Sequence, residues 1–275
     1  MRIDAWTFDV GTTEDHVEAM ASRVEQSWDS GADIVLFPEY SWAALPGCKD
    51  VREMAAMFWG TIMPRLQRRL ARPGKMVVLG TAPCMTDGEL RNRAPILVNG
   101  ELIVQDKLYL TPWEKEFSGG KTLNLIHFGG LRIAVIICLD IEIPELSVQL
   151  REQGVDLILV PSATETMLGS ERVTRCASAR SVELGCVVVV SPVVGKCSSD
   201  LVDDNLGRLA SFLPSQAVFQ ALERRVESVL LFEGFHCVKS DIEFSSLNAM
   251  RESVHETNPS LIFSSKIEPP QINWH

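Results

Sequence analysis

Cysteine spacing typical of a metal site or a redox pair is missing from this sequence. Its 275 residues include seven cysteines, an odd number, at positions 48, 84, 138, 176, 186, 197 and 237. Because no two of them are closer than ten residues, there is neither a C-x-x-C motif nor zinc-ribbon spacing. We therefore expect reduced thiols in the core, no metal site and a reducing compartment.

Positive charge and long apolar runs are also scarce. The formal net charge is −10, whereas binding to a nucleic acid backbone needs a basic face. No apolar run approaches the roughly 18 residues of a membrane span, and the first residues lack the layout of a signal peptide. The sequence predicts a soluble, cytoplasmic protein that binds neither nucleic acid nor membrane.

Nothing in the sequence resembles a linker between domains, since no segment is rich in proline, glycine or serine. A chain of this length, 46% hydrophobic, can bury a large core. We predict one domain over residues 1–275. The proline-containing segment 255–275 is expected to be a C-terminal tail that packs on a neighbouring surface.

Hydrophobic periodicity predicts alternating strands and helices. Helices are expected from Thr12 or Thr13 to Gly31, over 50–72, from Pro144 onward and over 169–184. Strands are predicted at 3–8, 33–37, 75–82, 93–98, 101–106, 123–128, 131–137, 155–160 and 186–190. Asn-Gly at 99–100 and Gly-Gly at 129–130 indicate two hairpins, which purely parallel winding would not contain. These patterns predict a layered α/β protein with one or two mixed sheets, and a surface loop over the polar segment 197–208.

Cys138 stands at the most informative position. It follows the apolar strand run 131–137, and Pro144 and Glu145 then favour the first turn of a helix. A cysteine at a sharp strand-to-helix corner lies beside outward-pointing backbone N–H groups, which suits a nucleophile. A lone cysteine is more often a small buried hydrophobe, so the case depends on partners elsewhere in the chain.

Two other predicted strands end beside charged residues. Glu39 follows the buried strand 33–37, and Lys107 follows the strand 101–106. Taken singly, Glu39 reads as a solvated turn acid and Lys107 as an exposed edge lysine. In α/β sheets, however, ligands gather at the carboxyl ends of strands, so these termini can meet around one pocket with Cys138.

The ordered set of segments resembles the nitrilase or carbon–nitrogen hydrolase superfamily. The residues that carry the resemblance are Pro38-Glu39, then Lys107 followed by Leu110, Pro112 and Glu114, then Cys138 with Asp140 and Pro144-Glu145, and finally segments 175–183 and 191–195. The similarity covers about residues 1–195. Leu139 and Glu142 depart from the aromatic residue and the arginine common in the family, and only a loose match follows at 206–214, which leaves substrate choice open.

The resemblance implies an αββα four-layer sandwich with two mixed sheets, assembled as a homodimer or larger homo-oligomer. It also implies that Glu39, Lys107 and Cys138 form a catalytic triad and that Glu114 supports it. The chemistry is cleavage of a small linear amide through a cysteine thioester, with the backbone N–H of Leu139 as an oxyanion donor. Such a mechanism requires no metal or organic cofactor.

Several further residues are candidates for the pocket wall. Tyr40, Tyr109 and Trp113 adjoin the triad and either line a substrate slot or pack in the core. Ala163 and Thr164 follow another strand end and are expected at the rim. Glu142 is a candidate for recognising a cationic or amine-bearing substrate.

Four alternatives to amide hydrolysis remain at this point. A nitrilase or an N-carbamoyl amidohydrolase would use the same triad, and only substrate profiling separates them. A non-catalytic binding protein on the same fold and a redox-sensing cysteine protein belong to different classes. The intact triad counts against the former, and the absence of a nearby resolving cysteine counts against the latter.

Overall fold

The computed structural model describes residues 1–199 and 201–252, in which two mixed β-sheets lie face to face. The strands are β1 Arg2–Trp6, β2 Phe8–Asp9, β3 Ile34–Phe37, β4 Met76–Leu79, β5 Ala82–Thr86, β6 Glu89–Val98, β7 Glu101–Asp106, β8 Leu125–Phe128, β9 Leu131–Val135, β10 Leu157–Ser162, β11 Val187–Lys196, β12 Asp204–Asn205, β13 Ala210–Phe212, β14 Arg225–Glu227 and β15 Cys237–Asp241. The helices are α1 His16–Asp29, α2 Val51–Met57, α3 Met63–Leu70, α4 Pro144–Glu152, α5 Met167–Leu184 and α6 Phe244–Glu252. The predicted tail, 255–275, lies outside the described residues.

Each sheet combines parallel and antiparallel pairs. The first sheet has the order β15-β1-β3-β4-β6-β5, and β7 pairs with β6. The second has the order β14-β13-β11-β10-β9-β8, and β2 and β12 pair with β11. The predicted fold class, with two mixed sheets, is confirmed.

The central strands β3 and β4 of the first sheet are apolar on both faces because each face is covered. On β3, Ile34 and Leu36 pack in the core between the two sheets, which also contains Ile133 and Val188. Val35 and Phe37 point the other way, into a second cluster with α1 and α3. On the far side of the second sheet, α4 and α5 complete a four-layer arrangement of helix, sheet, sheet and helix.

Both predicted hairpins are present. Asn99 and Gly100 join β6 to β7 with φ of 54° and 89°, and Gly129 and Gly130 join β8 to β9 with φ of 58° and 81°. Positive φ at both turn residues matches the right-handed twist of the flanking strands, which explains the choice of asparagine and glycine.

Three sequence predictions need correction. The first predicted strand breaks at Thr7, because β1 pairs with β3 in one sheet and β2 pairs with β11 in the other. The strand predicted to end before Ser191 is β11, which continues to Lys196. Pro192 is tolerated within it because β13 pairs with β11 only up to Val190 and β12 pairs only from Gly195, so no antiparallel partner needs the missing N–H of the proline. The predicted surface loop 197–208 contains β12 and the fully buried Asn205.

Within residues 1–199 and 201–252, no helix has the length and apolar character needed to cross a membrane.

Truncating a side chain between the sheets tests this packing. Leu36 is fully buried, so Leu36→Ala should lower the free energy of unfolding by about 2–5 kcal/mol through lost burial and the cavity left behind. Leu102→Ala, at a site 38% exposed, should cost about 0.5 kcal/mol or less. Urea denaturation measures both values, and equal losses would contradict the assigned core.

Candidate active site

Three loops following strands bring the predicted triad to one cavity. Glu39 lies two residues after β3, Lys107 follows β7 directly, and Cys138 follows β9 after two residues. All three line a cavity of about 350 Å³. Their side chains are nearly sealed from solvent, with 1% exposure at Glu39 and Lys107 and 5% at Cys138.

The backbone is tightly constrained at two of these corners. Cys138 has φ of 48° and opens the 3₁₀ turn Cys138–Glu142, and Tyr40 has φ of 55°. A left-handed backbone is costly for residues other than glycine and persists only where the surrounding structure enforces it. At Tyr40 the backbone N–H donates to Thr81 Oγ1 at 2.8 Å, inside the protein. The predicted sharp corner at the cysteine is therefore present.

A buried ion-pair network surrounds the lysine. Lys107 Nζ donates to Glu39 Oε1 and to Glu114 Oε2, each at 2.8 Å. Asn92 Nδ2 bridges the same two carboxylates, 2.8 Å from Glu39 Oε1 and 3.1 Å from Glu114 Oε1. Glu114 also accepts from Tyr40 Oη at 2.6 Å and from the N–H and hydroxyl of Thr111 at 2.8 and 3.0 Å. The sequence alternatives of a solvated Glu39 and an exposed Lys107 are excluded.

Comparisons with known proteins agree with this arrangement. The family model for carbon–nitrogen hydrolases matches residues 1–218. The chain belongs to the carbon–nitrogen hydrolase family. The predicted superfamily is thereby confirmed.

Individual relatives are more distant. A probable hydrolase of Bacillus subtilis (strain 168), YhcX, is 33% identical over 125 residues, covering 44% of this chain and 24% of that protein. An (R)-stereoselective amidase of a Pseudomonas species is 28% identical over 160 residues, covering 57% of this chain and 58% of that enzyme. The chain thus spans less than two thirds of the length of both relatives.

A solved structure supports the fold. A Xanthomonas campestris protein, XC1258, described as a CN-hydrolase superfamily protein with an arsenic adduct in the active site, superposes with a TM-score of 0.72 at 19% identity. The match covers 91% of this chain and 93% of that one. At this identity the likeness concerns the fold alone.

Burial and neighbouring charges shift the pKa values of the buried ion-pair network in opposite directions. Burial raises the pKa of Glu39, and the neighbouring Lys107 only partly offsets it. Burial also opposes ionisation of Glu114, but Lys107, Tyr40 and Thr111 hold its pKa below the usual range. Although desolvation works against it, the carboxylate neighbours raise the pKa of Lys107. The lysine is therefore an ammonium, and Glu39 is the acid closer to accepting a proton at neutral pH.

The cysteine rests as a neutral thiol. Burial, and then the Glu39 carboxylate, raise the pKa of Cys138 well above its ordinary value. Its Sγ donates to the backbone oxygen of Ala163 at 3.3 Å. Because a thiolate is the reactive form, this sulfur needs a base when it attacks. Glu39 is the carboxylate that interacts electrostatically with the thiol.

Most of the other predicted residues line the same cavity. The wall includes Tyr40, Trp113, Glu114, Leu139, Glu142, Ala163 and Thr164. Trp113 stands at the rim and is 83% exposed, whereas Tyr40 is buried against Glu114. Tyr109 does not line the cavity: its side chain is 40% exposed, and its backbone N–H donates to Asp140 Oδ1. Glu142 reaches the wall but forms an ion pair with Arg172, Nε to Oε2 at 3.3 Å.

The site predictions missed Asp140, which joins the segments that follow Lys107 and precede Cys138. Its Oδ2 accepts from the backbone N–H of Leu108 at 3.1 Å and of Ile137 at 3.3 Å, and its Oδ1 accepts from Tyr109 at 2.7 Å. Burial raises its pKa to about 7 despite these donors. One carboxyl group therefore fixes the position of the lysine relative to the cysteine. The place of Asp140, two residues after Cys138, was the sequence signal that could have identified it.

Asn92 and Asn205 were also missed. Asn92 lies on β6, one residue before the strand predicted from sequence, and gave no local signal. Asn205 lines the cavity although its segment was predicted to be a surface loop. In the part of the chain that the structure describes, no group of three or more His, Cys, Asp or Glu residues has the arrangement of a metal site.

Replacing the carboxylate of Asp140 by an amide tests its role as a clamp. Asp140→Asn leaves one acceptor oxygen for three backbone donors, so at least one buried N–H loses its partner. We expect a loss of about 1–3 kcal/mol in the free energy of unfolding, measured by urea denaturation. The matched control, Asp87→Asn, changes an exposed turn residue and should have little effect. Equal stability of the two variants would contradict the clamp.

Proposed function

We propose that this protein is a thiol amidohydrolase that cleaves the carbon–nitrogen bond of a small linear amide and releases ammonia or an amine and a carboxylic acid. One observation carries the proposal: a thiol, a carboxylate and a buried ammonium from separate stretches of chain share one cavity of about 350 Å³. Membership of the carbon–nitrogen hydrolase family and the relative named as an amidase support the same reaction.

The proposed reaction begins with proton transfer from Cys138 Sγ to Glu39 as the sulfur attacks the amide carbon. Lys107 and the N–H of Leu139 stabilise the oxyanion that forms, and one such donor is typically worth about 3–4 kcal/mol. Glu39 then returns the proton to the departing nitrogen, which leaves a thioester on Cys138. The same carboxylate activates water, and the acid is released.

Glu114 has a supporting part in this mechanism. Its carboxylate accepts a hydrogen bond from Lys107 and is itself held by Tyr40 and Thr111. It therefore keeps the lysine charged and directed at the cavity without taking a proton. The single domain over 1–275, the homo-oligomer and the cytoplasmic location stay predictions.

Removal of the sulfur is the most direct test. Cys138→Ala should lower kcat/KM for ammonia release from small amides by at least about 10⁴-fold, since no other group in the proposed mechanism forms the thioester. Cys48→Ala, which changes a half-buried thiol outside this cavity, should retain activity. Retained turnover in Cys138→Ala, with the wild-type circular dichroism spectrum, would exclude the proposed nucleophile.

The pH profile tests Glu39 as the base. Only the ionised carboxylate can accept the thiol proton, and burial raises the pKa of Glu39 above its ordinary 4.5. kcat/KM for an uncharged amide should therefore rise with pH, with a half-maximum above 4.5. Glu39→Gln should remove this limb together with nearly all activity. A wild-type profile that is flat down to pH 4 would rule out a base with a raised pKa.

A further inference from the structure

The cavity wall carries more negative than positive charge. Among its described residues, four glutamates (39, 114, 142 and 165) face one lysine and one arginine (107 and 172), which gives a formal total of −2. Two of the glutamates, Glu39 and Glu114, are neutralised in part by Lys107. Glu142 is paired with Arg172, so one unit of the excess lies in the network of Glu39, Glu114 and Lys107, and the other lies at Glu165.

Both cations of the wall are already paired with carboxylates. Lys107 already donates to two carboxylates at 2.8 Å each. Arg172 forms an ion pair with Glu142, and its side chain is 63% exposed. A substrate with a negative charge on its acyl part would therefore meet a wall of net negative charge whose two cations already have carboxylate partners, and this opposes its desolvation.

An unused hydrogen-bond acceptor lies in the same wall. Asn205 is fully buried and lines the cavity. Its Nδ2 donates to the backbone oxygen of Gly195 at 3.2 Å, which fixes the orientation of the amide. Its Oδ1 has no hydrogen-bond partner within the described residues. A buried acceptor without a donor is unfavourable, so a ligand N–H in the cavity would remove a cost already present in the free protein.

The position of Asn205 is fixed relative to the reactive sulfur. The next residue, Leu206, donates its N–H to Thr164 O at 2.9 Å and accepts from Thr164 Oγ1 at 2.6 Å. Thr164 follows Ala163, whose backbone oxygen lies 3.3 Å from Cys138 Sγ. Gly207, which follows Leu206, packs so closely on Pro192 that an added Cβ would lie 2.3 Å from the proline Cβ. The acceptor is thus preorganised.

We propose that the acyl part of the substrate carries a cationic N–H donor, such as a protonated amine, which donates to Asn205 Oδ1 and is attracted by Glu165 and by the net negative charge of the wall. This proposal rests on the proposed amidohydrolase function and names its substrate class. A cavity of about 350 Å³ limits that class to small molecules. Asn205 thereby acts as a specificity residue and takes no part in the bond-breaking steps.

Three amides of similar size and different charge test the proposal. β-Alaninamide is protonated at pH 7, butyramide has a methyl group in place of the ammonium, and succinamate carries a carboxylate. For the wild-type protein, kcat/KM should be at least about tenfold higher for β-alaninamide than for butyramide, a ratio that corresponds to about 1.4 kcal/mol. Succinamate should be the poorest of the three. Equal rates, or a preference for succinamate through Arg172, would overturn the proposal.

Substitutions in the cavity wall test which residues cause the preference for the cationic amide. Glu165→Gln, at an exposed position, and Asn205→Leu should both lower the β-alaninamide to butyramide ratio, whereas Asn205→Asp should raise it. Asn248→Leu, exposed on α6, is the control for the asparagine change and should leave the ratio unaltered. If Asn205→Leu does not fold, Asn205→Asp and Glu165→Gln still test whether these residues set the charge preference. Unchanged ratios in both of these would contradict the assignment.

Binding to Cys138→Ala separates the two proposals. Calorimetric titration of this variant measures charge preference without any turnover. If the wild-type protein hydrolyses none of the amides but Cys138→Ala binds β-alaninamide at least about tenfold more tightly than butyramide, hydrolysis is refuted and cation recognition stands. If hydrolysis proceeds without charge preference, the function stands and cation recognition is refuted. If none is hydrolysed and none is bound, both are refuted.

Discussion

Lys107 carries a positive charge into an interior where its side chain is 1% exposed, and its Nζ lies 2.8 Å from each of two carboxylates. Such a charge is tolerated only if its partners satisfy it, since the loss of both carboxylates would leave an uncompensated buried ion. The partners are themselves fixed: Asn92 bridges both, and Tyr40 and Thr111 hold Glu114. The arrangement of the cavity depends on this ammonium.

The same network keeps the sulfur unreactive at rest. With the thiol and Glu39 both buried, ionisation of Cys138 beside an existing carboxylate is unfavourable. In the mechanism proposed above, an incoming carbonyl changes this balance, because negative charge then moves onto an oxygen that Lys107 and a backbone N–H bind. In the proposed mechanism, proton transfer and attack are therefore coupled, and a permanently ionised thiolate is not needed.

The sequence predicted features that depend on local chemistry or on the order of motifs. The hairpin at Asn99 follows from a dipeptide that tolerates positive φ, and the convergence of Glu39, Lys107 and Cys138 follows from their places at strand ends. It missed Asn205, because a polar residue in a polar segment resembles a loop until β12 pairs with β11. Asn92 and Asp140 act through partners distant in sequence, which periodicity cannot indicate.

The change of sheet at Thr7 has a mechanical consequence for the site. Glu39 and Lys107 extend from strands of the first sheet, whereas Cys138 extends from the second. Any sliding of one layer past the other would therefore pull the base and the ammonium away from the sulfur. The N-terminal strand resists such shear, because the same short stretch of backbone is hydrogen-bonded into both layers at once.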